Sequence, residues 1–228
     1  MASKTFNSEA ALSWLLAALA GLLGATAYMH SSGYFVTFMT GNAQRAVLGY
    51  FSDDIRMAIS AGVLIIAFLA GVVSASWCRR RFWVGHPHSP TVLTTLSLIA
   101  ADFADVLDDG WEENLLDFAP ILLMAFGVGS LNTSFVKDGE VSVPLSYVTG
   151  TLVKLGQGIE RHLAGGSASD WLGYFLLFAS VVSGATLGGC ISLVVNGTAM
   201  LVTATVVCAL TTAYTFFHED RRASPGGG

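Results

Sequence analysis

"YFVTFMTGNAQRAVLG", residues 34–49, follows a hydrophobic run that already has the length of a membrane helix, yet it places Gly41, Asn42 and Arg45 where lipid favours Leu. A second stretch, "PLSYVTGTLVKLGQG", residues 144–158, explains the first. Sliding the chain against itself by 109 residues sets Phe38 on Tyr147, Thr40 on Thr149, Gly41 on Gly150, Asn42 on Thr151, Arg45 on Lys154 and Gly49 on Gly158. The shared order is aromatic, apolar, Thr, Gly, Asn or Thr, then a basic residue and a Gly. Self-similarity at one fixed offset, with matching apolar runs on either side, marks an internal duplication.

The composition places both copies in a bilayer. Of the 228 residues, 53% are hydrophobic and 12% charged, and the mean hydropathy is +0.62. That balance is far from a soluble domain's. The net charge of −5 carries no message about partners, and no basic tract points to nucleic acid. Cys190 and Cys208 lie inside apolar runs and Cys78 beside Arg79, so they are read as small packing residues. The first run is long for a secretory leader and has only Lys4 ahead of it, so it is read as an uncleaved helix despite Ala25-Thr26-Ala27.

A membrane helix needs about 20 mostly apolar residues. Six stretches satisfy this: Ala11 to His30, Met57 to Cys78, Pro90 to Leu107, Asp117 to Phe135, Trp171 to Val194 and Gly197 to Phe217. With both T-G segments returning to the side they enter from, Lys4, Arg79, Arg80, Arg81, Lys137, Lys154, Arg161, Arg221 and Arg222 fall inside and only Arg45 and Arg56 outside. This obeys the positive-inside rule, puts both termini in the cytoplasm and makes "DVLDDGWEENLLD" an outer loop. The fold expected is an all-α membrane domain over 1–228. Repeat 1 covers about 11–108, repeat 2 about 117–217, and 218–228 form a flexible tail. Three crossings per half is an odd number, so the halves are expected to be inverted, the build that secondary transporters use.

Irregular backbone cannot face lipid, so each T-G segment is expected to re-enter the membrane and line a cavity. Gly41 and Gly150 would allow a sharp turn, and Thr40, Asn42, Thr149 and Thr151 would cap the helix that starts there. Free amides and the positive dipole end of such a helix favour an anion. Arg45 and Lys154, one turn further on, are expected to wall one central site, or else to snorkel to their own surfaces. Asn132 is a further binding candidate or an interhelix link. Asp102 is the candidate for ion coupling, with Asp105 one turn later read as wetted by the outer surface. His30 closes the first span as a headgroup-level residue. The small-residue ridges Ala67/Gly71/Ala75 and Ser180/Gly184/Gly188 are expected to meet each other near a pseudo-twofold axis or in a homodimer.

Other signals are weak. His86-Pro87-His88 fits no zinc spacing, Asn196-Gly197-Thr198 is a bare sequon, and neither H-E-x-x-H nor G-x-S-x-G occurs. No cofactor is expected, and no enzymatic activity.

The stretches "FVTFMTGN" and "VPLSYVTGTLVKLGQ" resemble the YoaK-type bacterial inner-membrane proteins, a family of about this length classed as a domain of unknown function. The likeness spans nearly the whole chain. It implies six spans and an inner-membrane location and carries no activity. Family members often hold an Asp in the first helix, in a G-x-x-D-A-x-x-Y/F stretch. Here "GLLGATAYM" sets Gly24 at that place, while the matching second-half position is Asn132. The reading that results is a small transporter or channel for a small polar solute, anionic by preference. A non-transporting membrane scaffold is the alternative, with a membrane enzyme behind it.

Overall fold

The computed structural model describes residues 8–31, 33–83, 89–107, 118–137, 140–143 and 145–216. The His86-Pro87-His88 cluster, most of the acidic loop and the tail lie outside these residues. Eight helices follow the chain: α1 (Ser8–His30), α2 (Met39–Phe51), α3 (Ile55–Arg81), α4 (Pro90–Leu107), α5 (Ala119–Leu131), α6 (Val148–Leu163), α7 (Ser169–Ser192) and α8 (Gly197–Tyr214). A two-residue antiparallel ladder between β1 (Val136–Lys137) and β2 (Glu140–Val141) links α5 to α6.

Five of these helices, α1, α3, α4, α7 and α8, are long and apolar enough to cross a membrane. The expected span from Asp117 to Phe135 corresponds to α5, which has 13 residues. That is about 20 Å of helix, short of a hydrocarbon layer of about 30 Å. Pro120 opens α5 and the chain leaves helical geometry soon after Gly127 and Gly129, so sequence hydropathy overstated its length. Polar residues set other helix starts: Asp54 accepts the Met57 amide at 2.9 Å and Asn196 the Ala199 amide at 2.9 Å. The Asn196 of the sequon is therefore a helix cap.

Packing follows a reciprocal scheme. α1 lies on α7 while α5 lies on α3; α5 lies on α4 while α1 lies on α8; α2 covers α3 while α6 covers α7. Glycines decide the first two contacts. A methyl group on Gly184 would strike the Ala18 carbonyl oxygen, and one on Gly21 the Val181 carbonyl. In the other half, Gly71 meets the Phe126 carbonyl and Gly129 the Phe68 carbonyl in the same way. Close backbone approach of this kind is what small residues permit between helices in lipid. The expectation that the two small-residue ridges meet each other is corrected here: α3 presents its ridge to α5 and α7 presents its ridge to α1, because the facing glycines on α1 and α5 complete the groove.

The two central helices, α1 and α5, supply most of the core, including Leu16, Leu23, Met124, Val128 and Leu131, all fully buried. Hydroxyls stitch α4 to α5: Thr94 donates to the Gly127 carbonyl at 2.9 Å and Ser97 to the Leu123 carbonyl at 2.7 Å. On the other side of α4, Thr95 and Thr212 share a hydrogen bond of 2.8 Å, Thr212 donates to the Thr91 carbonyl at 3.1 Å, and Thr95 lies 3.3 Å from the Cys208 sulfur. Residues early in α4 thus meet residues late in α8, so these two helices run antiparallel.

Candidate functional site

Each T-G motif lies inside the first turn of a regular helix, after a short non-helical stretch that anchors it. Val36 in the first copy and Leu145 in the second are inserted into the core, at 0% and 1% exposure. The backbone amides of Asn42 and Thr151 then donate to the carbonyls of Phe38 and Tyr147. Phe38 and Tyr147 are the N-cap residues, and neither helix start has a side-chain cap. Capping by Thr40, Asn42, Thr149 or Thr151 is therefore corrected. Thr40 and Thr149 point outward, and the Thr151 hydroxyl donates to the Tyr147 carbonyl at 3.1 Å.

The turn expected at Gly41 and Gly150 is corrected as well. Both are helical; among the described residues the left-handed glycines are Gly33 (φ 77) and Gly165 (φ 95). Gly41 and Gly150 are needed for a different reason: the ring of the residue three places earlier folds back over the first turn. Any Cβ at Gly41 would enter the Phe38 ring, and any Cβ at Gly150 the Tyr147 ring. Gly49 and Gly158 serve the far end, where a side chain would meet the backbone of Asp54 and Ala58, or of Asp170 and Trp171.

The stretch before each motif is tied to the helix before it. In the second copy, Asn132 accepts hydrogen bonds from the Ser146 amide at 3.0 Å and its hydroxyl at 3.1 Å, while donating to the Val128 carbonyl at 2.9 Å. In the first copy, the equivalent pair is Gly24 and Thr37, and the Thr37 hydroxyl fills the room that a side chain at 24 would take. The buried Asn42 supplies a local bond instead, donating to the Phe35 carbonyl at 2.5 Å. Its side-chain carbonyl oxygen is buried without a partner among the described residues.

The candidate residues separate into groups. Thr40, Gly41, Asn42 and Arg45 belong to α2, which covers α3; Thr149, Gly150, Thr151 and Lys154 belong to α6, which covers α7. These helices stand at opposite ends of the packing order and share no packed face, so Arg45 and Lys154 do not wall one chamber. The Arg45 guanidinium lies over Tyr34 (5.2 Å) and Phe35 (5.6 Å), and the Lys154 ammonium over Tyr174 (5.7 Å). Each cation has its own aromatic surface, a contact worth about 0.5–2 kcal/mol. Asn132 joins the second group only.

A third group is central. Asp102 lies on α4 beside Thr205 of α8, in line with Thr95, Thr212 and Cys208. One turn on, Asp105 is 3% exposed, and neither carboxylate oxygen has a hydrogen-bond partner among the described residues. The reading of Asp105 as a wetted residue is thus overturned: α4 continues past it to Leu107 and its neighbours enclose it. The signal for this seam was present in the sequence as Thr at 91 and 95 with Asp at 102 and 105, a polar stripe in an apolar helix. What was missing was which face α8 covers.

A cavity of about 710 Å³ opens elsewhere, between the starts of α1 and α7 and the strand segment, lined by Trp14, Phe135, Val143, Tyr174, Glu9 and Arg161 among others. Arg161 also lies 3.8 Å from Asp170 on its rim, a half-exposed pair. Among the described residues no group of His, Cys, Asp and Glu is arranged to hold a metal ion.

Comparison with known proteins identifies a family. Residues 12–214 match the family described as "Protein of unknown function (DUF1275)". A UPF0700 transmembrane protein of Rhizobium meliloti (strain 1021) is 27% identical over 170 residues, which cover 75% of this chain and 70% of the relative. No solved structure matches. With nearly every described helix inside the matched range and several of them apolar enough to span a bilayer, the chain belongs to the DUF1275 family, as a multi-pass membrane protein of the YoaK type.

Proposed function

We propose that the protein is a small secondary transporter, or a channel of similar build, for a small polar solute, formed by two inverted three-span halves in the bacterial inner membrane with both termini cytoplasmic. The observation that carries this reading is the reciprocal packing: α1 on α7 and α5 on α3, each through a pair of glycines set against carbonyls. A twofold exchange of α1 with α5, α3 with α7 and α4 with α8 turns one contact into the other. The antiparallel contact of α4 with α8 supports inversion, since equivalent helices of inverted halves run in opposite senses. In this reading α5 is the sixth crossing, helped across by the turns of 132–135 that follow it, and the α4–α8 seam of threonines and acids is the polar route at the axis.

The preference for anions, drawn from Arg45 and Lys154, has no shared chamber to act through and is replaced by a preference for polar solutes that tolerate an acidic seam. A specific observation also favours the second reading, a non-transporting scaffold: the centre between α1 and α5 is filled by buried Leu16, Leu23, Met124 and Val128. The experiment that separates them screens small anionic, zwitterionic and cationic solutes for thermal stabilisation of the detergent-purified chain, then measures uptake of each hit into proteoliposomes. Uptake that saturates with concentration supports transport. Binding without uptake, under every imposed ion gradient, favours the scaffold.

A further inference from the structure

We propose that Asp105 is a membrane-embedded binding site for a small monovalent cation, a proton or an alkali ion, with Asp102 as its neighbour toward the α4–α8 seam. Three observations lead there. First, Asp105 is 3% exposed, and both its carboxylate oxygens are buried without a hydrogen-bond partner among the described residues. Second, one oxygen of Asp102, a turn earlier on the same helix, is also buried and unpartnered. Third, no helix packed on α4 sets a cation against Asp105 among the described residues. α5 contains no ionisable residue. On α8 they are Cys208, which is engaged with Thr95, and Tyr214. α3 touches α4 lightly; its Arg56 stands at the same end as Asp105 but is exposed and does not bond to it, and its other ionisable groups, Cys78 and Arg79 to Arg81, stand at its last turns.

An isolated charge in a dry interior is costly, and proteins satisfy it with a partner, a metal or a proton. Here the protein side of the account is empty: among the described residues no Arg, Lys or His is placed to pair with Asp105, so a mobile cation is the remaining neutraliser. The geometry fits an exchangeable one. The antiparallel links Ser97 to Leu123 and Thr94 to Gly127 bring the Asp102 turn level with the start of α5. The Asp105 oxygens, one turn further on, are without a hydrogen-bond partner among the described residues and so are free for a ligand. In one direction along α4 lie the threonines of the seam, in the other the end of the helix at Leu107, two residues away. A cation at Asp105 is therefore close to one end of α4, with Asp102 and then the seam hydroxyls further along the same helix.

This deepens the transport reading by naming where the coupling ion sits, but its test does not require any solute to move. The purified chain in lipid bilayers is studied in two arms. In the first, infrared difference spectra across a pH titration are compared for the unmodified chain, Asp105→Asn and Asp102→Asn. A carboxylic-acid carbonyl band that is lost in Asp105→Asn and kept in Asp102→Asn identifies a bound proton. In the second, thermal stability is measured in lithium, sodium, potassium and choline chlorides at constant ionic strength. A stabilisation by one alkali ion over choline that is lost in Asp105→Asn identifies that ion. Asp105→Glu, which keeps the charge, is the control for folding and is expected to retain whichever signal is found. If neither signal depends on position 105 while both variants elute and unfold like the unmodified chain, the proposal is overturned. Uptake experiments failing while the Asp105 signal persists would sink transport alone.

Discussion

Glycine 184 shows how much of this fold rests on single missing side chains. Its Cα faces the Ala18 carbonyl so closely that no Cβ fits, whereas Gly156 on α6 has open space around it. Gly184→Ala and Gly71→Ala are expected to lower stability by about 1–3 kcal/mol, the usual cost of overpacking. Gly156→Ala is expected to raise it slightly, since Gly costs a helix roughly 0.5–1 kcal/mol relative to Ala. Thermal unfolding of the three purified variants checks this; equal losses at all three positions would mean that helix propensity, and not the α1–α7 and α3–α5 contacts, sets the effect. The aromatic pairs make the same point. Phe38 with Gly41 and Tyr147 with Gly150 are one device used twice, visible in the sequence as an aromatic three places before each Gly. Its purpose was not visible there, because a turn glycine and a glycine under a ring look alike in one dimension.

At the scale of elements, the two T-G helices are held differently. Asn132 gives the second copy three side-chain bonds, including two from Ser146. Removing it in Asn132→Ala leaves the Ser146 amide without its acceptor, for an expected loss of about 1–3 kcal/mol. Faster hydrogen exchange confined to the start of α6 is the accompanying signature, and Asn132→Asp, which retains the acceptor, is expected to lose less. The first copy lacks this link because Gly24 has no side chain to offer. Gly24→Asn alone is expected to destabilise, its Cβ lying 2.8 Å from the Thr37 hydroxyl. Adding Thr37→Ser removes the methyl 3.3 Å from that Cβ and frees the retained hydroxyl to turn toward the new side chain at position 24, so the double variant is expected to recover part of the loss. A double-mutant cycle on thermal stability measures that coupling, and strict additivity would show that the two sites are not equivalent. Neither helix is capped by a side chain, so the polar residues of the motifs, conspicuous in the sequence, have other tasks: Asn42 bonds back to Phe35 and Thr151 to Tyr147.

For the whole molecule, the arrangement predicts that the α2–α3 turn and the α6–α7 turn lie on opposite faces of the membrane. In a background with Cys78, Cys190 and Cys208 replaced by Ser, a cysteine at Ser52 is expected to react with an impermeant thiol reagent added from outside to intact cells. One at Ser167 is expected to react only after the membrane is opened. Labelling of both from one side would end the inverted-repeat reading and leave the observed packing to be explained as a coincidence of two helix pairs. The membrane class, the run of apolar helices and the duplication around the two T-G motifs were all determined by the sequence itself. Hydrophobic transfer and short-range spacing are properties of neighbours along the chain, so they can be read there. Three matters were decided by the tertiary structure alone: α2 and α6 stand apart, α5 is a short helix, and Asp105 is more enclosed than Asp102. Each depends on which helix face meets which. In a bilayer that choice is made by close backbone contacts at glycines and by hydroxyl bonds across helices, neither of which leaves a periodic signature in hydropathy.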